Sequence, residues 1–205
     1  MKGKQEIRLA GFGGQGIVLS GHILGKAATL FERRNAVFTQ SYGPEARGGS
    51  CSADVVISEG KIHYPKVARP NVLVLMSQCA LNTYGELIAD YGVMIIDQDL
   101  VSLGEEPQNV RVYRVPFTRI AEELGRAIVA NIVMLGALAA LGGVVTYESL
   151  KESVVSSIPA GTEELNLAAF NKGFDYAQSL LKPDAASRVG RRVSQSGPEK
   201  TERHS

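Results

Sequence analysis

The feature that most constrains the fold is the glycine-rich segment GFGGQG at residues 11–16, which lies between two different apolar patterns. The segment Gln5–Ala10 has the pattern of a short strand, and apolar residues at helical spacing from Ile17 to Phe31 predict a helix directly after the glycines. In such a strand–turn–helix unit, glycines permit a tight turn, and the free N–H groups of the helix N-terminus can face an anion. The segment therefore predicts an α/β fold with a binding edge near residues 11–16.

The same glycines have a second interpretation, in which they only let the helix pack closely on the strand. A nicotinamide dinucleotide site would also need an acidic residue about 20 positions on, at the end of the second strand. The second strand is predicted at Ala36–Thr39, and Gln40 and Ser41 follow it. The sequence does not favour a nicotinamide cofactor, and it leaves open whether the glycines serve a ligand or packing.

The rest of the chain alternates between strand and helix patterns. Strands are predicted at Cys51–Ser58, Val72–Met76, Val93–Ile96 and Arg111–Val115, and helices at 78–91, 118–124, 127–141, 146–156 and 162–181, with Thr146 as an N-cap. Such alternation is typical of parallel strands with helices on both faces. A turn at Glu59-Gly60 predicts an antiparallel hairpin that continues through Lys61–Tyr64. We therefore expect an α/β fold: a three-layer α/β/α Rossmann-like module with a mostly parallel, mixed sheet.

A second glycine-rich loop, SYGPEARGGS at residues 41–50, follows the second strand. Open α/β sheets bind ligands at the carboxyl ends of their strands, so this loop is expected near the first glycine segment. Arg47 suits a phosphate or carboxylate, and Tyr42 can stack or donate its hydroxyl. A plain connector in which Arg47 pairs with Glu45 is the alternative. The candidate binding residues are Gly11, Gly13, Gly14, Gln15, Gly16, Ser41, Tyr42, Gly43, Arg47, Gly48 and Gly49.

Composition excludes several classes of function. Lysine and arginine total 22 against 21 acidic residues, so a net charge of +1 gives no field that would attract nucleic acid. The most apolar run, Ala127–Leu141, falls short of the roughly 20 residues that cross a bilayer. It predicts a helix buried on all sides.

Two cysteines without CxxC spacing, and a start without an apolar signal core, lead us to expect a cytoplasmic protein.

Catalytic and metal sites are not predicted for this chain. Cys51 and Cys79 cannot supply the four ligands of an iron–sulfur or Cys₄ zinc site, and His22 and His63 are isolated. Asn131 is the polar exception in the buried helix. Because an unpaired buried amide costs about 1–3 kcal/mol, we expect it to tie the helix to a neighbouring loop, with a ligand or partner chain as the alternative.

Two segments of different composition divide the chain. Residues 1–182 carry the strand and helix patterns and form one domain, whereas residues 183–205 contain almost nothing apolar. A segment that buries so little apolar surface cannot offset the entropy of ordering its backbone. The composition therefore predicts a disordered polar tail at 183–205.

Four sequence segments together resemble a known family: GFGGQGIVLSGHILGKAA, SYGPEARGGSCSADVVIS, NIVMLGAL and NLAAFNKG. They resemble the gamma subunit of 2-oxoacid:ferredoxin oxidoreductases, whose equivalent is fused as one domain in single-chain pyruvate:ferredoxin oxidoreductases. The resemblance spans roughly Ile7 to Leu181 and does not cover the tail. The pair of glycine-rich motifs is far more specific than a bare G-x-G-x-x-G.

The resemblance implies a subunit without redox chemistry of its own. The complex would convert a 2-oxoacid, coenzyme A and oxidised ferredoxin to acyl-CoA, carbon dioxide and reduced ferredoxin. Thiamine diphosphate, Mg²⁺ and iron–sulfur clusters would lie on the alpha and beta subunits and a ferredoxin-like delta subunit. This chain would contribute coenzyme A binding and subunit assembly, be inactive alone and have neither nucleic-acid nor membrane partners. A free-standing Rossmann-like nucleotide-binding or regulatory protein is the alternative.

Overall fold

The predicted strands form a single sheet in the computed structural model, which describes residues 3–43 and 50–182. The strands are β1 (Gln5–Phe12), β2 (Asn35–Tyr42), β3 (Ser50–Ser58), β4 (Val72–Leu75), β5 (Val93–Asp97) and β6 (Arg111–Val115). Their order across the sheet is β2-β3-β1-β4-β5-β6. The pairs β1–β4, β4–β5 and β5–β6 are parallel, whereas β3 is antiparallel to both β1 and β2. The mostly parallel, mixed sheet is confirmed.

The antiparallel part of the sheet arises differently from the predicted hairpin. Residues 61–64 form no strand, so the expected pairing of Lys61–Tyr64 with the preceding strand is wrong. Strand β3 instead lies between β2 and β1, and Val55, for example, pairs with Phe38 on one side and Ile7 on the other. Because both edges of β3 already have hydrogen-bonded partners, no edge is left for residues 61–64.

The helices follow the predicted pattern with shifts at their ends. They are α1 (Ile17–Lys26), α2 (Gln78–Tyr84), α3 (Phe117–Glu123), α4 (Ala130–Leu141), α5 (Tyr147–Val155) and α6 (Glu163–Leu181). A π-helical turn, Ala27–Phe31, extends α1, and a 3₁₀ turn, Gly85–Leu87, extends α2. The helix predicted over 78–91 ends at Leu87 because Ile88 adopts an extended backbone. Thr146 is confirmed as the N-cap of α5, since its hydroxyl accepts from the Ser149 N–H at 3.2 Å.

Two apolar cores lie on opposite faces of the sheet, which confirms the three layers. The larger core joins the sheet to α1, α3, α4, α5 and α6, and the smaller core lies under α2. Helix α4 is buried nearly all round, as its uninterrupted apolar pattern predicts. Among the described residues, no helix has the length and apolar character needed to span a membrane.

Helices α4 and α6 cross so closely that their backbones touch at two glycines. A Cβ atom added to Gly136 of α4 would lie 2.0 Å from the carbonyl oxygen of Phe170. A Cβ atom on Gly173 of α6 would lie 2.0 Å from the carbonyl oxygen of Val133. Only glycine fits at either position, so this contact fixes how closely α4 and the middle of α6 approach each other.

The predicted polar tail at 183–205 lies outside the described residues, and its role can be tested by truncation. Because the segment is nearly devoid of apolar residues, removing 184–205 should change neither the melting temperature of the chain nor its assembly. Thermal melting and gel filtration of the truncated complex measure both. Loss of a subunit would instead show that Arg188, Arg191 and Arg192 dock on an acidic partner.

Candidate functional site at the carboxyl edge of the sheet

The strand register brings the two glycine-rich segments to the same edge of the sheet. Cys51 of β3 pairs with Gly11 on one side and with Tyr42 on the other. The N–H of Gly43 donates to the Ser50 carbonyl at 2.7 Å, which brings together the two ends of loop 44–49. Two strand spacings of about 4.8 Å separate the segments. Ser41, Tyr42 and Gly43 therefore border the edge at which Gly11–Gly16 lies.

Three candidate residues of the second loop, Arg47, Gly48 and Gly49, lie outside the described residues. The strand before the loop is open to solvent at its end, since Ser41 and Tyr42 are both exposed, whereas Ser50 after the loop is half-buried. The assignment of these residues to ligand binding stays a prediction, because the structure describes only the residues at which the loop begins and ends.

Gln15 has a structural role within the glycine turn. Its Oε1 accepts from the Phe12 N–H at 2.9 Å, and its Nε2 donates to the Met76 carbonyl at 2.8 Å. Met76 directly follows β4, so the side chain bridges the crevice between the carboxyl ends of β1 and β4. A Cβ atom on Gly11 would lie 2.3 Å from Gln15 Oε1. Gly11 therefore makes room for Gln15, which holds the turn in place.

Gly16 also makes room for a protein side chain. It caps α1 with a left-handed backbone, at a φ of 74°. A Cβ atom at this position would lie 2.5 Å from Asn131 Nδ2 of α4. For Gly11 and Gly16, then, the structure supports the packing interpretation of the glycine motif.

Gly13 and Gly14 differ from the other two glycines because nothing lies within 4 Å of a Cβ atom added to either. Both are exposed, and they precede the start of α1, where the cap residue makes no side-chain hydrogen bond and the first turn has no acidic residue. The first N–H groups of a helix carry partial positive charge and need partners. The anion-binding interpretation is therefore supported at Gly13 and Gly14.

A cleft of about 540 Å³ opens beside this turn. It lies where the N-terminal parts of three helices meet. Its lining includes Gly14 and Gly16 at α1, Asn131 and Ile132 at α4, and Thr162, Leu165 and Asn166 at α6. Most of its wall is apolar, and the side chain of Ile128 is 78% exposed at its rim. Arg126, also exposed, contributes a positive charge. The volume is in the range of ligand sites.

Asn131 is the residue in the cleft that sequence analysis left out of the candidate site. It is 4% exposed and lies against Gly16. Within residues 3–43 and 50–182 its amide forms no hydrogen bond, so the expected tie to a neighbouring loop is not made there. The amide of Asn166, across the cleft, is already engaged, because its Nδ2 donates to the Thr162 carbonyl at 2.8 Å. The sequence feature that could have indicated Asn131 as a site residue is its position as a lone asparagine in an apolar helix.

A second groove, of about 410 Å³, lies between α1 and β2. Of the polar side chains beside it, Lys26 and Thr29 are engaged within the chain, and His22 is exposed. Thr29 donates to the Gly25 carbonyl at 3.0 Å, and Lys26 donates to the Ser156 carbonyl at 2.8 Å. No buried polar side chain lines this groove among the described residues, so the cleft beside the glycine turn is the better candidate.

The reactive groups of the described chain show no catalytic arrangement. Burial raises the pKa of the Cys51 thiol, which disfavours the thiolate needed for nucleophilic attack. Burial by itself lowers the pKa of the Arg8 guanidinium, but hydrogen bonds and charge from Asp54 outweigh it, and the net shift is upward. In residues 3–43 and 50–182, no cluster of three or more His, Cys, Asp or Glu could hold a metal ion.

Comparisons with known proteins agree with this architecture. The profile of the family "Pyruvate ferredoxin/flavodoxin oxidoreductase" matches residues 6–176. The chain is 53% identical over 182 residues to 2-oxoglutarate synthase subunit KorC of Methanocaldococcus jannaschii, covering 88% of this chain and 97% of that one.

Two solved structures are similar as well. The keto/oxoacid ferredoxin oxidoreductase gamma subunit of Geobacter sulfurreducens superposes with a TM-score of 0.76 at 40% identity, over 85% of this chain and 99% of that one. The 2-oxoglutarate:ferredoxin oxidoreductase of Magnetococcus marinus was solved with 2-oxoglutarate, coenzyme A and succinyl-CoA bound. It superposes with a TM-score of 0.79 at 26% identity. That match covers 90% of this chain and 33% of the other.

Proposed function

The chain belongs to the pyruvate ferredoxin/flavodoxin oxidoreductase family, as a gamma-type subunit of a 2-oxoacid:ferredoxin oxidoreductase, and we propose that it binds coenzyme A for that complex. The observation that carries the proposal is the open turn at Gly13 and Gly14, which precedes the uncapped start of α1. The relatives are subunits of oxidoreductase complexes, which supports this function over that of a free-standing nucleotide-binding protein.

Coenzyme A suits this edge because its phosphates need donors and positive charge. The N–H groups in the first turn of α1 would donate to a phosphate, and Arg47 of loop 44–49 would add a bidentate, charge-assisted contact. Gln15 would act indirectly, since both of its polar ends hold the turn in place. The bound coenzyme A in the Magnetococcus marinus relative supports the same ligand.

Other components of the reaction are assigned to partner subunits. The described residues do not fit an iron–sulfur cluster, because they offer no group of three or more metal-ligating His, Cys, Asp or Glu side chains. Thiamine diphosphate, Mg²⁺ and the clusters would lie on alpha and beta subunits and a ferredoxin-like delta subunit. This chain would then position coenzyme A, and ferredoxin would be reduced through the complex.

The proposed substrate of the complex is 2-oxoglutarate. The 53% identity to a 2-oxoglutarate synthase subunit supports it, as that relative is matched over 97% of its length. Ferredoxin reduction by the assembled complex with 2-oxoglutarate, pyruvate or a branched-chain 2-oxoacid would test it. A preference for another 2-oxoacid would overturn the choice of substrate without affecting the coenzyme A proposal. A cytoplasmic location stays a prediction.

Replacing Gly13 with glutamate tests the coenzyme A site directly. The new side chain has open space around its Cβ atom, so the melting temperature of the chain should stay unchanged. Its carboxylate would repel phosphate at the turn, and the dissociation constant for coenzyme A should rise about tenfold or more, equivalent to about 1.4 kcal/mol. Calorimetric titration of the assembled complex measures this rise.

The matched control is Gly13→Ala, which adds a methyl group without charge. It should bind coenzyme A within about threefold of the wild type, which is below 1 kcal/mol. If Gly13→Glu binds coenzyme A as tightly as the alanine variant, the phosphates do not lie at this turn and the proposed site is wrong.

A further inference from the structure

We propose that the open edge of β2 pairs with the β2 strand of a second copy of this chain, antiparallel and about a two-fold axis at Thr39. The pairing joins two six-stranded sheets into one continuous sheet. This inference goes beyond the proposed function, because it concerns the assembly of the chain and depends neither on coenzyme A nor on the cleft beside the glycine turn.

The two edges of the sheet are built differently. Strand β6 has five residues and carries the exposed Arg111 and Arg114, whereas β2 has eight residues and none of them is charged. Proteins protect sheet edges with short strands and charged side chains, because a long uncharged edge offers its backbone to another strand. Strand β6 has this protection and β2 lacks it. Strand β2 therefore has the properties of an edge that another strand covers.

The backbone groups that β2 offers follow from its register with β3. The Gly43 N–H donates to the Ser50 carbonyl at 2.7 Å, so the backbone groups of Gly43 point toward β3. Because these directions alternate along an antiparallel strand, every second residue before Gly43 points away from β3. The residues with outward N–H and C=O groups are Ala36, Phe38, Gln40 and Tyr42. In the part of the chain that the structure describes, β2 has a neighbouring strand on its β3 side only.

One two-fold register uses all four of these residues. With the axis at Thr39, Ala36 lies opposite Tyr42 of the second copy, and Phe38 lies opposite its Gln40. Each such pair exchanges two backbone hydrogen bonds. An axis at Phe38 would leave Tyr42 without a strand partner, and an axis at Gln40 would leave Ala36 without one. The register of β2 thus selects Thr39 as the position of the axis.

The groove of about 410 Å³ between α1 and β2 supports the same register. Ala36 and Phe38 line it from β2, and Leu30, which is 67% exposed, lines it from the turn after α1. Side chains two residues apart on a strand share a face, so Tyr42 lies on the face of Ala36 and Phe38. The Tyr42 side chain is 63% exposed in the single chain. With the axis at Thr39, Tyr42 of the second copy stands opposite Ala36, where its ring can fill the groove.

The charges on this surface favour a second copy as the occupant. In a two-fold pair, a side chain at the axis meets its own equivalent, so a charged residue there would face a like charge. No residue of β2 is charged. Lys26 lines the groove, but its Nζ donates to the Ser156 carbonyl at 2.8 Å and to the Ser157 hydroxyl at 3.0 Å, which holds its charge at the end of α5. The β2 edge is therefore neutral and compatible with itself.

A disulfide at the axis tests the register in the assembled complex. Thr39 and its equivalent would form a non-hydrogen-bonded pair with Cα atoms about 4.5 Å apart, within the range that a disulfide spans. Thr39→Cys should therefore give a covalent dimer of this chain on mild oxidation, measured by non-reducing electrophoresis and mass spectrometry. The variant is made in a Cys79→Ser background, because Cys79 is exposed.

The matched control is Ser41→Cys in the same background, on the same face of β2 and also exposed. In the proposed register, Ser41 and its equivalent lie four residues apart along the paired strands, or about 14 Å, which no disulfide spans. This variant should give no covalent dimer. Equal cross-linking of Thr39→Cys and Ser41→Cys would mean random collision and would overturn the proposal.

A charge exchange at Thr39 identifies the occupant. Thr39 is exposed in the single chain, so Thr39→Lys and Thr39→Glu each leave its fold intact, but each places like charges face to face at the axis. Either full-length variant alone should dimerise more weakly than the wild type. Mixing the two should lower the dissociation constant about tenfold relative to either alone, measured by sedimentation velocity at low ionic strength.

The results separate a second copy from another subunit as the strand partner. Recovery of the dimer on mixing requires that Thr39 of one copy faces Thr39 of another, and only the proposed pairing provides this. A wild-type chain that sediments as a monomer, a mixture no more dimeric than its components, or a cross-link from Thr39→Cys to a different subunit would overturn the proposal. None of these measurements involves coenzyme A, so they stand apart from the test of the proposed function.

Discussion

Replacing Gly136 with alanine is expected to destabilise the chain by about 3 kcal/mol, near the upper end of the usual range for overpacked positions. The added Cβ atom would lie 2.0 Å from the Phe170 carbonyl oxygen, which is part of the α6 backbone and cannot rotate away. The two helices would have to separate. At about 2–4 °C per kcal/mol for a domain of this size, the melting temperature should fall by about 6–12 °C.

The matched control for this prediction is Gly25→Ala, at another buried glycine within a helix. A Cβ atom at Gly25 would meet only Phe38 Cβ at 3.9 Å, an ordinary contact. Alanine restricts the unfolded chain and favours helix, so this variant should be neutral or more stable by about 0.5–1 kcal/mol. Melting of both full-length variants by circular dichroism gives the comparison. Equal melting temperatures would mean that α4 and α6 do not make the backbone contact described above.

Replacing Arg47 with alanine is expected to have the largest effect on function. If loop 44–49 meets a phosphate of coenzyme A, the variant loses a charge-assisted contact worth about 1.5–3 kcal/mol. The Michaelis constant for coenzyme A should then rise about ten- to a hundredfold, at about 1.4 kcal/mol per tenfold. The decarboxylation half-reaction, which needs no coenzyme A, should be retained. Steady-state and half-reaction kinetics of the assembled complex measure both quantities.

Arg111→Ala is the control for the Arg47 variant, because Arg111 is exposed on β6 at the opposite edge of the sheet. It should leave the Michaelis constant for coenzyme A unchanged. A role for Arg47 in assembly predicts a different result, in which the half-reaction and the overall reaction fall together as the complex dissociates. An intact Arg47→Ala complex with wild-type affinity for coenzyme A would show that Arg47 binds no phosphate.

The candidate site divides into a part that local sequence could indicate and a part that it could not. The turn at residues 11–16 and the loop after β2 were predicted at one edge of the sheet, and the register of β3 places their described parts there. The separate roles of the four glycines were not predictable. Gly11 and Gly16 accommodate Gln15 and Asn131, and such contacts depend on side chains that local sequence does not place.

The sequence by itself determined the class of fold, the strand–turn–helix opening and the buried character of α4, because apolar periodicity and glycine turns act within a few residues along the chain. The tertiary structure alone decided the position of β3 between β2 and β1, and the cleft built from the starts of α1, α4 and α6. Gly16, Asn131 and Asn166 are far apart in sequence, and only the close crossing of α4 and α6 and the packing of α1 bring them together. Strand order and helix packing depend on contacts between distant segments, which no local pattern encodes.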